Sequence, residues 1–378
     1  MTSRERVELA LQHKEPDRVP IDIWGSASRI NTSLYKTLAK EFNLDWEKTG
    51  RLIRPGKDTE YEDYALADAL GGDFRHINIG HAKGYKSYKD EHGWVIDEWG
   101  IGRSLQGLYP TIVYNPLKDK SLEEVLEYKC PNPYDEGRIE GLEQLAKDYY
   151  ENTDKYVTAC SANSGQVFDV CQYLRGTEGF LLDLYAEEEL AMELIKKVND
   201  FLVKQNMFYL EPIAPYIGWV EFTSDFGAQN APFISCELFR KFFKEAYTEL
   251  FMSVKKRLPH LKIFMHSCGS VKDLIGEFID CGVDVMNPLQ PLCRDMDSAS
   301  LKALYGDKVV FHGAIDIQQA MAGSLDDVRA EAKKRIYALG QGGGYIFSPS
   351  NHLQRNIPPE NVVELFKAAQ EYGVYPLK

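Results

Sequence analysis

The sequence predicts an α/β fold of the (β/α)8 TIM-barrel class, formed by residues 1–378 as a single domain. Eight short β-rich runs recur along the 378 residues, and a helical stretch follows each of them. Apolar strands that alternate with helices form a parallel sheet, and eight such units most often close into a barrel. Hydrophobic residues make up 44% of the chain and charged residues 27%, which is typical of a soluble globular protein.

The predicted strands are short and apolar, as buried parallel strands are. In chain order they cover residues 19–24, 74–79, 156–160, 217–222, 263–266, 284–287, 309–311 and 345–347. The carboxyl ends of barrel strands carry the active site in this class of fold. We therefore look for functional side chains at the ends of these eight runs.

Helical periodicity lies between the strands, most clearly over residues 190–210, 237–258 and 325–339. The residues Pro358-Pro359-Glu360 open the last helix, at a position where proline is tolerated. The run Gln341-Gly342-Gly343-Gly344 precedes a strand rather than a helix, so it does not fit a phosphate-binding loop. We interpret it as a helix C-cap and a tight turn.

A β-hairpin insertion is predicted at residues 84–116, after the second strand. Its turn contains Asp90 and Gly93, and aromatic residues such as Trp94, Trp99 and Tyr109 flank it. Because the loops after barrel strands gather at the active-site end, we expect the insertion there. Its aromatic residues either shape a pocket or partner surface or seal the mouth of the barrel.

Charge and hydropathy exclude two classes of partner. The net charge of −13 argues against a nucleic-acid surface, which needs clustered Lys and Arg. No run approaches the roughly 18 apolar residues of a membrane helix, and the charged start has no apolar core behind it, so we expect a cytoplasmic location. The seven scattered cysteines are then expected to be mostly free thiols.

The strongest motif is His266-Ser267-Cys268-Gly269, at the end of the fifth predicted strand. Strand side chains repeat every two residues, so the imidazole and the thiol lie on one side. Both are ligands that zinc prefers, although a purely structural pair is the alternative. A third ligand is expected from another strand end, with His352 as the first candidate and Cys293 as the second.

Carboxylates at the end of the fourth strand are the next candidates. Glu221 and Asp225 could ligate a metal, orient a substrate or act as catalytic acid or base, or they could cap the following helix. Arg29, after the first strand, could bind a carboxylate bidentately or form a salt bridge. Gln290 could bind a polar group of a substrate or be a solvated loop residue. The predicted substrate-binding residues are Trp24, Arg29, Gln290 and Asn351.

Four segments resemble the uroporphyrinogen decarboxylase-like superfamily. They are MTSRERVELALQHKEPDRVPIDIWG, DFGAQNAPFISCELFRKFF, MHSCGSVKDLIGEFIDCGVDVMNPLQP and GGGYIFSPSNHLQRNIPPENV. This superfamily contains metal-free uroporphyrinogen decarboxylases and zinc-dependent methyltransferases that act with a corrinoid protein. The decarboxylases carry an arginine-rich RQAGR segment after the first strand, whereas residues 24–29 contain one arginine here. Together with the His-x-Cys motif, this difference favours the methyltransferase branch.

The resemblance implies His266 and Cys268 as zinc ligands. The later cysteine ligand of the methyltransferases falls on Asn351, with His352 beside it, which separates this chain from the thiol-methylating members. Similar chains with histidine in this loop resemble enzymes that demethylate methoxylated aromatics or other methyl donors. No cobalamin-binding D-x-H-x-x-G segment is visible, so a corrinoid would be carried by a partner protein.

We therefore expect a zinc-dependent methyltransferase that moves a methyl group between a small methyl donor and a corrinoid carrier protein. Removal of an O-methyl group is favoured over methylation of a thiol. One alternative is a uroporphyrinogen-type decarboxylase of a polycarboxylate, and another is a noncatalytic small-molecule-binding barrel. The aromatic insertion and the resemblance together make a homodimer plausible.

Overall fold

Seven parallel strands form the central sheet of the protein, in a computed structural model that describes residues 1–26, 28–54, 57–106 and 110–377. Each strand pairs with the next one along the chain, as in a singly wound barrel. The strands are β1 (Phe74–Ile77), β2 (Tyr156–Ala159), β3 (Trp219–Thr223), β4 (Lys262–His266), β5 (Val285–Asn287), β6 (Val310–Ile315) and β7 (Tyr345–Pro349).

The first predicted strand, at residues 19–24, is an irregular segment that links the two edges of this sheet. The Phe347 N–H donates to Pro20 O over 2.8 Å, and the Asp22 N–H donates to Phe347 O over 2.9 Å. On the other side, the Asp73 N–H donates to Ile21 O over 2.8 Å. Proline lacks an N–H and Trp24 has a positive φ of 81°, so this segment cannot continue a regular ladder. The predicted TIM-barrel class is confirmed.

The interior of the barrel is filled by aromatic and branched side chains below the functional end. Trp219 is fully buried and its ring centroid lies 5.0 Å from Phe74, 5.5 Å from Tyr156 and 5.4 Å from Phe264. Val7 of the first helix belongs to the same cluster. A second, larger core lies between the strands and the surrounding helices, which explains why the strands are buried on both faces.

The helices surround the sheet. The α-helices of the described residues are Ser3–Leu11, Thr32–Glu41, Trp46–Thr49, Tyr64–Ala69, Leu122–Glu127, Leu142–Asn152, Val167–Arg175, Thr177–Ala186, Glu188–Leu210, Cys236–Leu238, Lys244–Arg257, Lys272–Cys281, Ser298–Tyr305, Leu325–Leu339 and Pro359–Tyr372. A π-helical segment, Phe239–Phe243, interrupts the long helix predicted at 237–258. Short 3-10 helices lie at Glu136–Arg138 and Ala214–Tyr216.

Local signals explain several of these boundaries. Ser324 and Asp327 form a capping box at the start of the helix Leu325–Leu339. The predicted glycine turn follows that helix, and Gly342, Gly343 and Gly344 all have positive φ, a conformation that glycine adopts without steric cost.

The insertion after β1 is a four-stranded antiparallel sheet, larger than the predicted hairpin. Its strands are Tyr88–Lys89, Val95–Ile96, Gly102–Ser104 and Thr111–Tyr114. Asp90 builds the first turn, because its carboxylate accepts the N–H groups of His92 and Trp94. Tyr109, one of the predicted aromatic residues, lies outside the described residues. A two-stranded sheet pairs Arg51–Leu52 with Tyr61–Glu62. Within the described ranges, no helix combines the length and apolar composition needed to cross a bilayer.

Candidate metal centre and substrate cavity

Three potential metal ligands meet at the carboxyl ends of β3 and β4. Asp225, His266 and Cys268 each offer one ligand atom, and these atoms all lie within 4.8 Å of one another. Cys268 Sγ is 3.2 Å from His266 Nε2, which is 3.5 Å from Asp225 Oδ1. The nitrogen, sulfur and oxygen donors are a set that zinc binds. The Asp225 side chain is 47% exposed, so the cluster is open to solvent on that side.

The register of the two strands produces this cluster. His266 lies opposite Thr223, so the residues two positions further along, Cys268 and Asp225, also meet. The Cys268 N–H donates to Asp225 Oδ1 over 2.8 Å, and the Ser270 N–H donates to Ala228 O over the same distance. The two loops therefore hold each other through one bond to the Asp225 carboxylate and one bond between backbone groups.

Glycine is required where these loops touch. Gly269 has a φ of +87°, and a Cβ at this position would lie 2.3 Å from the carbonyl of Gly227. The motif thus ends in glycine for two reasons: the left-handed backbone and the close approach of a neighbouring loop. Any larger residue has to push the Cys268 loop away from Asp225.

Gly269→Ala is expected to destabilise the fold by at least about 1–3 kcal/mol, the range for a strained left-handed residue, because the clash adds to that cost. It should also weaken zinc binding. Urea unfolding and a zinc titration measure the two effects. Gly342→Ala is the matched control, since Gly342 also has a positive φ but has free space around its Cβ position. Equal stability and equal zinc affinity of the two variants would contradict the expected packing role.

Two side-chain amides donate hydrogen bonds to the thiol of Cys268. Gln290 Nε2 and Asn351 Nδ2 both lie 3.4 Å from Cys268 Sγ. Burial and the Asp225 carboxylate raise the pKa of the Cys268 thiol well above its ordinary value in the metal-free protein. The amide donors favour the thiolate, and a bound cation would do so more strongly.

His266 presents Nε2 to the cluster because its other nitrogen is occupied. Nδ1 lies 2.5 Å from Asn287 Oδ1, which can only accept a hydrogen bond. In its neutral form the imidazole therefore carries its hydrogen on Nδ1 and keeps the lone pair of Nε2 for the cluster. This is the arrangement in which a metal-binding histidine is usually held. Asn287 is not among the site residues predicted from the sequence, although its position at the end of the sixth predicted strand was a signal for it.

His352, the predicted third ligand, lies outside this three-residue cluster. Its Nδ1 accepts the backbone N–H of Arg29 over 3.0 Å. Burial and the charges of Arg54 and Arg29 keep the pKa of His352 well below its ordinary value, so the ring is neutral. A neutral imidazole that accepts at Nδ1 carries its hydrogen on Nε2. The geometry therefore favours Asp225 over His352 as the third donor.

A cavity of about 330 Å³ lies beside the cluster. Gln290 and Asn351, which contact Cys268 Sγ, are part of its wall, so the cavity adjoins the cluster directly. Cys293 is also in the wall, and its thiol donates to Gln290 Oε1 over 3.5 Å rather than joining the cluster. The complete lining consists of Gln290, Pro291, Leu292, Cys293, Asp316, Ile317, Gln318, Ser350, Asn351, His352 and Gln354. These residues include neither lysine nor arginine.

Trp24 and Arg29, two of the predicted substrate-binding residues, lie outside this cavity. Trp24 is buried, donates its indole N–H to Asp63 O over 2.9 Å and packs edge-on against Tyr35. Arg29 Nη2 donates to Asn78 Oδ1 over 2.6 Å. Arg29 Nε and Nη1 are buried without a hydrogen-bond partner in the described part of the chain.

Glu221 belongs to a second, fully buried cluster with His76 and Cys160. Its Oε2 accepts the Ser26 N–H over 2.8 Å, and its Oε1 lies 3.6 Å from His76 Nδ1. Burial would raise the pKa of Glu221, but the hydrogen bond and charge of His76 outweigh it and lower that pKa. The structure therefore places Glu221 and Asp225 in two different clusters, although the same predicted strand positions both of them.

Comparisons with known proteins find one family model, that of uroporphyrinogen decarboxylase (URO-D), which matches residues 107–372. A uroporphyrinogen decarboxylase from Psychromonas ingrahamii is 30% identical over 79 residues, 21% of this chain and 22% of that protein. A uroporphyrinogen decarboxylase from Legionella pneumophila is 21% identical over 188 residues, 50% of each chain. The match thus spans between about a fifth and half of the length of these curated relatives.

Among solved structures, a methyltransferase from Methanosarcina mazei shares the fold. It superposes with a TM-score of 0.69 at 17% sequence identity, covering 98% of this chain and 99% of that protein. At this identity the similarity shows that the two proteins share one architecture over nearly their whole lengths.

Proposed function

Because this chain belongs to the uroporphyrinogen decarboxylase (URO-D) family, we propose that it is a member whose zinc site serves methyl transfer between a small methyl donor and a corrinoid carrier protein. The observation that supports this proposal is the Asp225–His266–Cys268 cluster beside a cavity of small-molecule size. A methoxylated aromatic compound is the favoured donor class.

The donor set fits a zinc ion. His266 offers the lone pair of Nε2, Cys268 offers Sγ with two amide donors to stabilise the thiolate, and Asp225 offers a carboxylate oxygen. Three protein ligands with solvent access on one side match a catalytic site that keeps a position open. When bound there, zinc supplies Lewis acidity next to the cavity.

The cavity residues supply binding and orientation. His352 carries its hydrogen on Nε2, so it can donate a hydrogen bond to an oxygen of the substrate. Gln290 and Asn351 extend from the cavity wall to Cys268 and fix its thiolate in place. The carrier protein would present its corrinoid from outside, because the cavity has room for only a small molecule.

A decarboxylase of a polycarboxylate is the second candidate. It is favoured by the two curated relatives, because both are named uroporphyrinogen decarboxylase. The composition of the cavity favours the methyltransferase. A substrate with several carboxylates needs guanidinium or ammonium partners, whereas the described cavity lining has neither arginine nor lysine.

Metal analysis combined with a transfer assay tests the proposal. Protein purified without chelator is expected to contain about one zinc per chain, as a catalytic zinc site should. It should transfer methyl groups from a methoxylated aromatic compound to free cob(I)alamin, with methanol and methylamines as comparison donors. Absence of zinc, or conversion of uroporphyrinogen by the metal-free protein, would overturn the proposal. Binding of zinc and of the methyl donor without any turnover would favour a noncatalytic small-molecule-binding barrel.

A further inference from the structure

A buried hydrogen-bond network runs through the barrel from Asp22 to the cluster. His312 Nε2 lies 2.8 Å from Asp22 Oδ2, and Asn287 Nδ2 lies 2.8 Å from His312 Nδ1. Asn287 Oδ1 then contacts His266 Nδ1 at 2.5 Å. We call these four residues the Asp22–His266 network. All four side chains are at most 4% exposed, so water does not compete for these bonds.

The chemistry of the side chains gives the network a single direction. Burial alone would raise the pKa of Asp22, but His76 and His312 outweigh it and hold that pKa well below its ordinary value. The ionised carboxylate only accepts, so His312 donates from Nε2, and in the neutral ring Nδ1 keeps a lone pair. That lone pair accepts from the Asn287 amide nitrogen. The amide oxygen is thereby turned toward His266, which donates from Nδ1.

The other side of Asp22 is anchored as well. His76 Nε2 lies 2.9 Å from Asp22 Oδ1 and 3.1 Å from the carbonyl oxygen of Ile23. A carbonyl oxygen is only an acceptor, so this nitrogen carries a hydrogen. Asp22 therefore receives one N–H from each of two histidines, one at each oxygen.

The backbone is strained beside each of the first three network residues. Trp24, Leu289 and Ala314 have φ values of 81°, 50° and 76°, and each lies two positions after a network residue. Non-glycine residues in this conformation persist only where the surrounding structure requires them. Gly313 also contributes, because a Cβ there would lie 3.1 Å from Asn287 Nδ2. The fold thus holds Asp22, Asn287 and His312 in place at some cost in backbone energy.

We propose that Asp22 is a positioning residue that acts through His312 and Asn287 to fix the tautomer of His266, so that Nε2 is its metal-binding nitrogen. The inference rests on the proposed zinc site for its purpose, but the tautomer itself is a property of the metal-free protein. Asp22 lies three hydrogen bonds away from the ligand atom it controls.

Asp22→Asn is the decisive variant, because it reverses the direction of all three hydrogen bonds in the Asp22–His266 network. The new amide oxygen would face the His76 N–H, so its amide nitrogen would face His312 and donate to Nε2. His312 would then carry its hydrogen on Nδ1, and the Asn287 amide would turn over to accept it. The Asn287 nitrogen would donate to His266 Nδ1, which moves the His266 hydrogen to Nε2 and removes the ligand lone pair.

Long-range ¹H–¹⁵N spectra of histidine-labelled, metal-free protein and zinc competition with a chelator measure the two consequences. In the wild-type protein we expect the hydrogen on Nδ1 of His266 and on Nε2 of His312. In Asp22→Asn both are expected to change place, and zinc affinity should fall about 10–100-fold, as for loss of a partner behind a ligand.

Adding Asn287→Asp to Asp22→Asn is the rescue experiment. A carboxylate at position 287 accepts from both neighbouring histidines, so it returns the hydrogen to Nδ1 of His266 and should restore zinc affinity. Asp183→Asn is the matched control, since Asp183 is a buried carboxylate that is paired with Arg175 and does not belong to the network. It should leave both measurements unchanged.

The proposal is overturned if Asp22→Asn keeps the hydrogen on Nδ1 of His266 with unchanged zinc affinity. If that variant does not fold, the wild-type spectrum decides, because a hydrogen on Nε2 of His266 contradicts the network. If the wild-type protein binds no zinc, the proposed function fails, whereas the tautomer pattern still supports or refutes the role of Asp22.

Discussion

Replacing Cys268 by serine is expected to lower zinc affinity by more than about 100-fold, because even a residue behind a ligand contributes about 10–100-fold. Methyl transfer should be lost with the metal. The hydroxyl of serine is not deprotonated at neutral pH, so the site loses its anionic sulfur donor. The two amide donors of Gln290 and Asn351 would then face a neutral group. Chelator competition and the transfer assay measure both effects.

Cys293→Ser is the matched control for this experiment. Cys293 is a buried thiol in the wall of the cavity beside the cluster, and it contacts Gln290 rather than the cluster. Its replacement should change zinc affinity only slightly. Equal losses in the two variants would mean that the cavity as a whole, and not Cys268, determines zinc binding.

The third ligand can be identified with the same assay. Asp225→Asn removes the carboxylate charge from the cluster, whereas His352→Gln removes a ring whose Nδ1 accepts the Arg29 N–H. The geometry predicts the larger loss of affinity for Asp225→Asn. The reverse order would identify His352 as the ligand, through rotation of its ring away from Arg29.

The fold was predictable because apolar runs and helical periods alternate so regularly along the chain. Seven of the eight predicted strands are present, with boundaries that shift by a few residues. The missing one is the first predicted strand, at 19–24. It has the apolar pattern of a strand but contains Pro20, and Trp24 has a positive φ. An apolar sequence pattern indicates burial, and this segment is buried. Whether it also forms a regular strand depends on its hydrogen bonds with Asp73 and Phe347.

The pairing of His266 with Cys268 was also predictable, because it follows from the two-residue period of a strand. The choice between Asp225 and His352 was not. It depends on the register of β3 against β4 and on the contact of His352 with Arg29, which is 323 residues away in the chain. A single sequence contains no signal for this register or for this contact.

Asp22 and His312 illustrate the same limit more strongly. Asp22 lies within a predicted strand and His312 directly follows another, yet 290 residues separate them, and only the closure of the barrel brings them together. Asn287 links them to His266 because β5 lies between β4 and β6. Strand order in a barrel follows the order of the chain, whereas these hydrogen bonds depend on which residues lie opposite one another in neighbouring strands.

Trp219→Ala is expected to destabilise the protein by about 3–5 kcal/mol, the range for truncation of a large buried aromatic residue. Trp219 is the central side chain of the cluster inside the barrel and contacts Phe74, Tyr156 and Phe264. The seven strands and the segment 19–24 surround it, so the cavity left by the indole cannot collapse easily. Urea unfolding measures the loss.

The same variant connects the core to the site, because Trp219 also supports polar residues above it. Its indole N–H lies 3.5 Å from Glu221 Oε1, and its ring packs edge-on against His312 at 6.1 Å. Zinc affinity should therefore fall as well, since His312 belongs to the Asp22–His266 network. Tyr185→Ala, at a position 72% exposed, is the control and should change stability by less than about 0.5 kcal/mol. A Trp219 variant as stable as this control would show that the barrel interior repacks freely, and the network above it would then need another source of rigidity.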